Sequence, residues 1–190
     1  MNEKVLLMHV DFECIGQVAR HCDWEQLCVY IREQQNLSLL PKIGSCLFSK
    51  VYDYLQSDEK DDLMKLLWEG GRYCGCDGNT RFHFGLRRPL VHWAYGAYIY
   101  RHSAVDTPFG VVQKVSDDSI PVDLKELRAI NKEQRDNAEY YFEMTKDFIC
   151  SVSKDLGCNT CDCGCVCNYC SGRGASLQRR NVKFDNIKKI

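Results

Sequence analysis

Apolar side chains recur every three or four residues through the first half of the chain, which is the spacing of amphipathic helices. The first such stretch covers residues 11–19. Asp23 then has the chemistry of an N-cap for a helix that ends at about Gln35. Gln26 stands three residues after Asp23, where a capping box places its glutamate or glutamine. The pattern therefore predicts helical structure over most of the N-terminal segment.

Proline and glycine divide the next stretch of the chain. Pro41 and Gly44 break the helical pattern, after which residues 45–55 predict a further helix. Another helix is predicted from Asp58 to the glycine pair at 70–71, because glycine commonly follows the last turn of a helix. The glycine-rich residues 70–82 predict a loop without regular structure.

The second half contains two longer helical patterns around a β-rich segment. Residues 83–102 predict a helix that is apolar nearly all round, and residues 124–152 predict the last helix. Between them, residues 107–110 have turn chemistry and the valines that follow favour a strand, with residues 120–122 as its expected partner. The predicted fold class is mainly α: a small bundle of about five helices with one β-hairpin or tongue and an irregular, cysteine-rich C-terminal tail.

The composition indicates a folded domain with an additional C-terminal segment. Hydrophobic residues make up 45% and charged residues 27% of the 190 residues, which are ordinary values for a globular chain and exclude general disorder. No apolar run approaches the ~20 residues of a membrane span and the first residues lack a signal-peptide pattern, so we expect no membrane partner. We divide the chain into a helical body, residues 1–152 with an arm at 103–122, and a C-terminal extension, residues 153–190.

Charge is distributed unevenly between the body and the extension. The net charge is −1, yet residues 171–190 carry +5, which leaves −6 on residues 1–170. A basic tail contacts phosphates or an acidic protein surface, or is simply solvated. The basic residues that we predict to dock on a partner are Arg173, Arg179, Arg180, Lys183, Lys188 and Lys189.

Cysteines crowd into residues 158–170 of the extension. Two Cys-x-x-Cys pairs have the chelate spacing of a zinc site, although five residues between the pairs make a short loop. The candidate ligands are Cys158, Cys161, Cys167 and Cys170. The alternative is a flexible linker of free thiols, which leaves the protein without a cofactor. The odd total of 13 cysteines and the lack of an export signal indicate a reducing compartment.

The chain carries no recognisable catalytic signature. His83, His92 and His102 fall on one predicted helix, at spacings that form no i,i+4 metal pair. The carboxylate runs are typical of helix starts and solvated turns, and no phosphate-binding glycine loop follows a strand. We therefore predict that the protein is not an enzyme. A thiol-dependent enzyme, the remaining catalytic alternative, needs a cysteine of lowered pKa beside a histidine.

Two segments have the composition of subunit interfaces. The 83–102 helix is apolar on more faces than a small domain is expected to cover, and the arm combines valines with exposed strand edges. The arm residues assigned to an interface are Phe109, Gly110, Val111, Val112, Lys114 and Val115. A hairpin folded on its own domain is the alternative for the arm.

Four motifs occur in an order that resembles a known family. They are Ile43-Gly44-Ser45-Cys46-Leu47-Phe48, Pro89-Leu90-Val91-His92-Trp93-Ala94 with Tyr98, Gly110-Val111-Val112-Gln113-Lys114 and Ala138-Glu139-Tyr140-Tyr141. Over residues 10–150 they resemble the head–tail connector proteins of tailed phages, most closely those of phages of gut Bacteroidales, including the crAss-like group. Residues 157–190 lie outside this shared pattern.

The resemblance implies a virion structural protein that is assembled in the host cytoplasm. It would form a closed homo-oligomeric adaptor ring of about twelve copies, a dodecamer, beneath the portal protein. Such a ring extends the DNA channel used in genome ejection, lets DNA pass without sequence-specific binding, and docks the adjacent connector or tail protein. The arm is implied to be an inter-subunit tongue. The alternative is a cytosolic regulator whose cysteines hold zinc and whose basic end binds nucleic acid.

Overall fold

Helices dominate the described chain, and two short hairpins interrupt them. The computed structural model describes residues 4–15, 23–57, 61–75, 78–102, 104–107, 110–113, 123–152 and 155–157. The α-helices are α1 (Trp24–Gln34), α2 (Leu40–Gln56), α3 (Asp62–Glu69), α4 (Arg87–His102) and α5 (Leu124–Val152). The strands are β1 (Gly71–Cys74), β2 (Thr80–His83), β3 (Ala104–Thr107) and β4 (Gly110–Gln113). The predicted mainly α class with an antiparallel hairpin is confirmed, and the cysteine-rich tail from residue 158 lies outside the described residues.

Aspartates cap two of these helices. Asp23 caps α1 as predicted, because its Oδ1 accepts hydrogen bonds from the amides of Glu25 and Gln26 at 3.1 and 3.3 Å. Asp61 caps α3, so the start predicted at residue 58 is three residues early. Each aspartate of this acidic run has the chemistry of a cap, and the packing of the helix behind it selects one.

The connection between α1 and α2 is helical throughout. A π-helical turn, Gln35–Leu39, follows α1 where the helix was predicted to end. The break predicted at glycine is present: Gly44 has φ 76° and ψ 159°, and it kinks α2. The first predicted helix, residues 11–19, is instead a 3-10 segment at His9–Ile15, and residues 16–19 lie outside the described part.

The buried side chain of Gln35 joins the N-terminal segment to the π-helical turn. Gln35 is 0% exposed. Its Oε1 accepts from the amide of Leu6 at 2.8 Å, and its Nε2 donates to the carbonyl of Lys4 at 3.4 Å. These bonds compensate the desolvation of a buried amide and hold Leu6 and Leu7 in the core.

Helix α4 is the centre of the core. It packs antiparallel against α5 and also contacts α1, α3 and the 3-10 segment. Trp93, Tyr95 and Tyr98 are all buried within the subunit. Most of the apolar circumference of this helix is therefore covered by its own chain, and only its last turns, with Tyr100 half-buried, leave surface for the neighbouring subunit that was expected there.

The glycine-rich stretch at 70–82 forms a β-hairpin, so the loop predicted there is wrong. β1 and β2 pair antiparallel, with Tyr73 opposite Arg81 and Gly71 opposite His83. Tyr73 packs edge-to-face on Phe148 of α5 with ring centroids 5.1 Å apart. The glycines allow the tight turn, while burial of Tyr73 fixes the register of the strand. Because β2 includes His83, α4 begins at Arg87 and not at residue 83 as predicted.

The chain after α5 returns to the body. Leu156 is buried in the core, and Nζ of Lys50 donates to its carbonyl oxygen at 2.5 Å. Residues 155–157 therefore pack with the helical body, beyond the boundary placed at residue 152.

Candidate interface surfaces

The arm that connects α4 to α5 is a two-stranded hairpin. Strands β3 and β4 pair antiparallel, with Val105 opposite Val112 and Asp106 opposite Val111. Thr107 and Gly110, at the ends of the predicted turn, lie opposite each other, so β4 pairs with the residues before the turn, whereas the strand partner predicted at 120–122 lies outside the described residues. Of the predicted interface residues, Gly110, Val111 and Val112 lie on β4. Phe109, Lys114 and Val115 lie outside the described residues.

The end of α4 that carries the arm is fixed to α1. The amide of Asp23 donates to the hydroxyl of Tyr98 at 3.1 Å, and the ring of Tyr98 packs edge-to-face on Tyr30. Arg101 Nη1 donates to Glu33 Oε1 at 2.6 Å, and this hydrogen bond raises the pKa of the guanidinium. The arm therefore projects from a braced helix end.

A shallow basic groove lies beside the base of the arm. It has a volume of about 460 Å³ and is lined by Tyr100, Arg128, Asn131, Lys132, Arg135 and Asp136. Arg128, Lys132 and Arg135 follow at spacings of four and three residues, which places their cations in one row along α5. This row suits an acidic protein surface or phosphates.

A second cleft, which we call the Arg88 cleft, lies at the opposite end of α4. Its volume is about 360 Å³, and its lining includes Val10, Asp11, Phe82, Phe84, Arg87 and Arg88. Val10 is 58% and Phe82 49% exposed, so apolar surface borders the cations. Phe82 packs on Phe84, which packs on Tyr141, and the rings form an aromatic wall.

The two arginines of this cleft have different partners. Arg87 Nη1 lies 3.2 Å from Asp11 Oδ1, an ion pair whose carboxylate side chain is only 9% exposed. The Arg88 guanidinium lies over the ring of Tyr141 at 5.4 Å from its centroid, and no described carboxylate lies within 4.0 Å of it. The Nε of Arg88 is buried and has no hydrogen-bond acceptor among the described residues.

Sequence reasoning missed the Arg88 cleft, although the sequence carries one signal for it. Two arginines followed by proline open α4, and cations at a helix N-terminus oppose the helix macrodipole. Such an unfavourable placement indicates a requirement other than helix stability. The aromatic wall gives no sequence signal, because only the hairpin brings Phe82 and Phe84 to this helix end.

Two of the described histidines, His83 and His92, have separate partners and do not form a catalytic group with each other. His83 lies on β2, fully buried and stacked on Phe148 with ring centroids 4.1 Å apart, and its Nδ1 accepts from the amide of Gly85. His92 lies on α4, where its Nδ1 is 2.7 Å from Gln134 Oε1. Burial lowers the pKa of both rings, that of His83 to about 4.

Acidification is expected to destabilise the fold through His83. The unfolded chain binds a proton near pH 6.5 and the folded chain near pH 4, so stability present above pH 6.5 is lost as the pH falls through this window. We expect the wild type to lose about 2 kcal/mol more than His83→Gln between pH 7 and pH 4.5, measured by urea unfolding. A constant difference between the two proteins across this range would contradict a buried neutral His83.

Two of the described cysteines, Cys14 and Cys28, lack the lowered pKa of an activated nucleophile. Burial raises the pKa of Cys14 and of Cys28, which favours the protonated thiol. Within the described ranges, no group of three or more histidine, cysteine, aspartate or glutamate side chains is arranged to hold a metal ion. The four candidate zinc ligands and all six basic residues assigned to docking lie in the tail, outside the described residues.

The described elements define a mainly helical protein with one braced projecting hairpin and one apolar, cationic cleft. None of its described helices has the length and hydropathy of a membrane span. The model of the family of unknown function DUF6712 matches residues 39–165, about two thirds of the chain, so the protein belongs to this family. The matched span contains all four motifs named above. The comparison with curated proteins found no match, and neither did the comparison with solved structures.

Proposed function

We propose that this protein is a head–tail connector subunit that forms a closed ring beneath the portal of a tailed phage. In this role the protein is a component of the virion, its ring extends the DNA channel, and it docks the next connector or tail protein. The proposal rests on the resemblance of the four motifs and on the arm. No catalytic step is required of the protein in this role.

The observation that carries the proposal is the isolation of the β3–β4 hairpin. Among the residues that the structure describes, each arm strand pairs only with the other strand, and neither joins the β1–β2 sheet. Apart from β4, the element that β3 mainly contacts is the adjoining α4. A two-stranded hairpin is marginally stable in water by itself, and its outer edges expose unpaired backbone groups. A neighbouring subunit that covers the arm stabilises it, as a head-to-tail ring interface requires.

The charge distribution supports the same role. Residues 1–170 carry −6, and a wall of this sign does not retain DNA that moves past it. The basic residues 171–190 are of the opposite sign and suit contact with an acidic face of the portal, an adjacent ring component or the packaged DNA.

Native mass spectrometry of the full chain, alone and with the portal protein of the same genome, tests the proposal. We expect a closed multimer of about twelve copies, or a stable complex with the portal. A protein that remains monomeric and does not bind the portal would contradict the connector role. The same spectrum counts bound metal, and a monomer with stoichiometric zinc and salt-sensitive DNA binding would instead support the regulatory alternative.

A further inference from the structure

We propose that the Arg88 cleft receives the acidic arm of a second copy of this chain. The inference rests on the proposed ring and identifies the surface on which its arm docks. The sequence places three aspartates, Asp106, Asp117 and Asp118, and one lysine in residues 103–122, so the arm carries −2. Valines and an isoleucine flank these aspartates, and the segment is therefore both acidic and apolar.

The cleft matches this composition. Arg88 has no described carboxylate within 4.0 Å, and its buried Nε has no described acceptor. A carboxylate from outside the subunit pairs with the terminal nitrogens of this half-buried guanidinium. The exposed faces of Phe82 and Val10 lie beside it and suit the valines of the arm. The cleft also holds acidic groups, but Asp11 is paired with Arg87, and Glu69 lies 4.0 Å from Nζ of Lys65.

Chain length favours a second copy over the same chain as the source of the arm. Along α4, Arg88 lies fourteen residues before His102, the last helical residue before the arm, which corresponds to about 21 Å. Residues 114–122 connect β4 to α5 in the sequence, and the start of α5 lies near the C-terminal end of α4, because Arg128 and Tyr100 line one groove. A nine-residue segment anchored at both ends extends at most about 16 Å from its base. The arm would reach its own cleft only with this segment fully extended along α4, whereas a protrusion and a cleft at opposite ends of one helix form a head-to-tail interface between copies.

A charge exchange tests this contact. Arg88→Glu is expected to raise at least tenfold the protein concentration at which half the chains are in rings, and the double variant Asp117→Lys, Asp118→Lys is expected to do the same. Combining the three substitutions is expected to restore assembly to within a few-fold of the wild type. Arg32→Glu, at an exposed arginine of α1 outside the cleft, is the matched control and is expected to leave assembly unchanged. If Arg88→Glu formed rings at the same protein concentration as the wild type, the proposal would be overturned.

A cross-link provides a measurement that does not depend on how Arg88→Glu folds. A benzophenone amino acid at Phe82, in rings mixed from ¹⁴N and ¹⁵N chains, is expected to label residues 104–122 of the other isotope. The same group at Leu37, which is 65% exposed and outside the cleft, is the control. If position 82 instead cross-linked to another segment of the second chain, or to the portal, the arm would not be the segment that occupies the cleft. Failure of the wild type to form rings would contradict the connector role itself, whereas rings with an empty cleft would contradict only this inference.

Discussion

Gly85→Ala is expected to lower the free energy of unfolding by about 3 kcal/mol or more. Gly85 has φ +71°, where an L-residue is strained by about 1–2 kcal/mol. Its Cβ would also collide with the backbone carbonyl of Trp68 and would lie 2.5 Å from the amide nitrogen of Gly70. Overpacking of this kind costs about 1–3 kcal/mol more. Urea unfolding followed by circular dichroism measures the loss.

Gly78→Ala is the matched control for this prediction. Gly78 has φ +83°, but no atom lies within 4 Å of the position of its added Cβ. Only the backbone strain remains, so we expect a loss of about 1 kcal/mol. Equal losses in the two variants would contradict the close backbone crossing of Gly70 and Gly85 that brings β2 to the end of α3.

Val112→Asp is expected to abolish ring assembly while the monomer remains folded. Val112 pairs in register with Val105 in the arm, and the proposed interface covers the arm with a neighbouring subunit. A carboxylate buried there without a partner costs at least about 2 kcal/mol at each interface, and ring closure multiplies that cost. Native mass spectrometry at the concentration where the wild type forms rings measures assembly, and circular dichroism verifies the fold.

Gln113→Asp is the control for the arm. It places the same new charge on the same strand and leaves the valines intact. We expect its rings to survive, with a loss small enough that the multimer remains the main species. If Val112→Asp assembles like Gln113→Asp, the apolar content of the arm does not hold the ring together.

Local sequence rules predicted the parts of the fold that depend on local chemistry. The Asp23 cap, the kink at Gly44 and the extent of α5 follow from capping groups, glycine conformation and helical periodicity. The hairpin at 70–82 was missed because its glycines have the composition of a loop. Its strands depend on Tyr73 packing against Phe148, a residue 75 positions further along the chain.

The candidate site was likewise predicted only where it depends on local chemistry. The arm was located from its turn residues and valines, but the pairing of β4 with residues 104–107 was not predicted, because local β-propensity does not select which strands pair. The Arg88 cleft was not predicted. Its lining comes from the 3-10 segment, α3, the β1–β2 hairpin and α4, and only tertiary packing assembles these elements.

The sequence by itself determined a mainly helical body, the cap at Asp23, the kink at Gly44, and the division of charge between body and tail. These properties arise from interactions among residues close in the chain or from composition alone. Tertiary structure decided that the aromatic helix α4 is buried by its own subunit, and that Arg88 lacks a carboxylate partner among the described residues. The burial of α4 and the pairing of Arg88 both depend on which side chains, distant in the sequence, lie close together in the fold. The energies of burial and of ion pairing are set by distances in space and not by positions in the sequence.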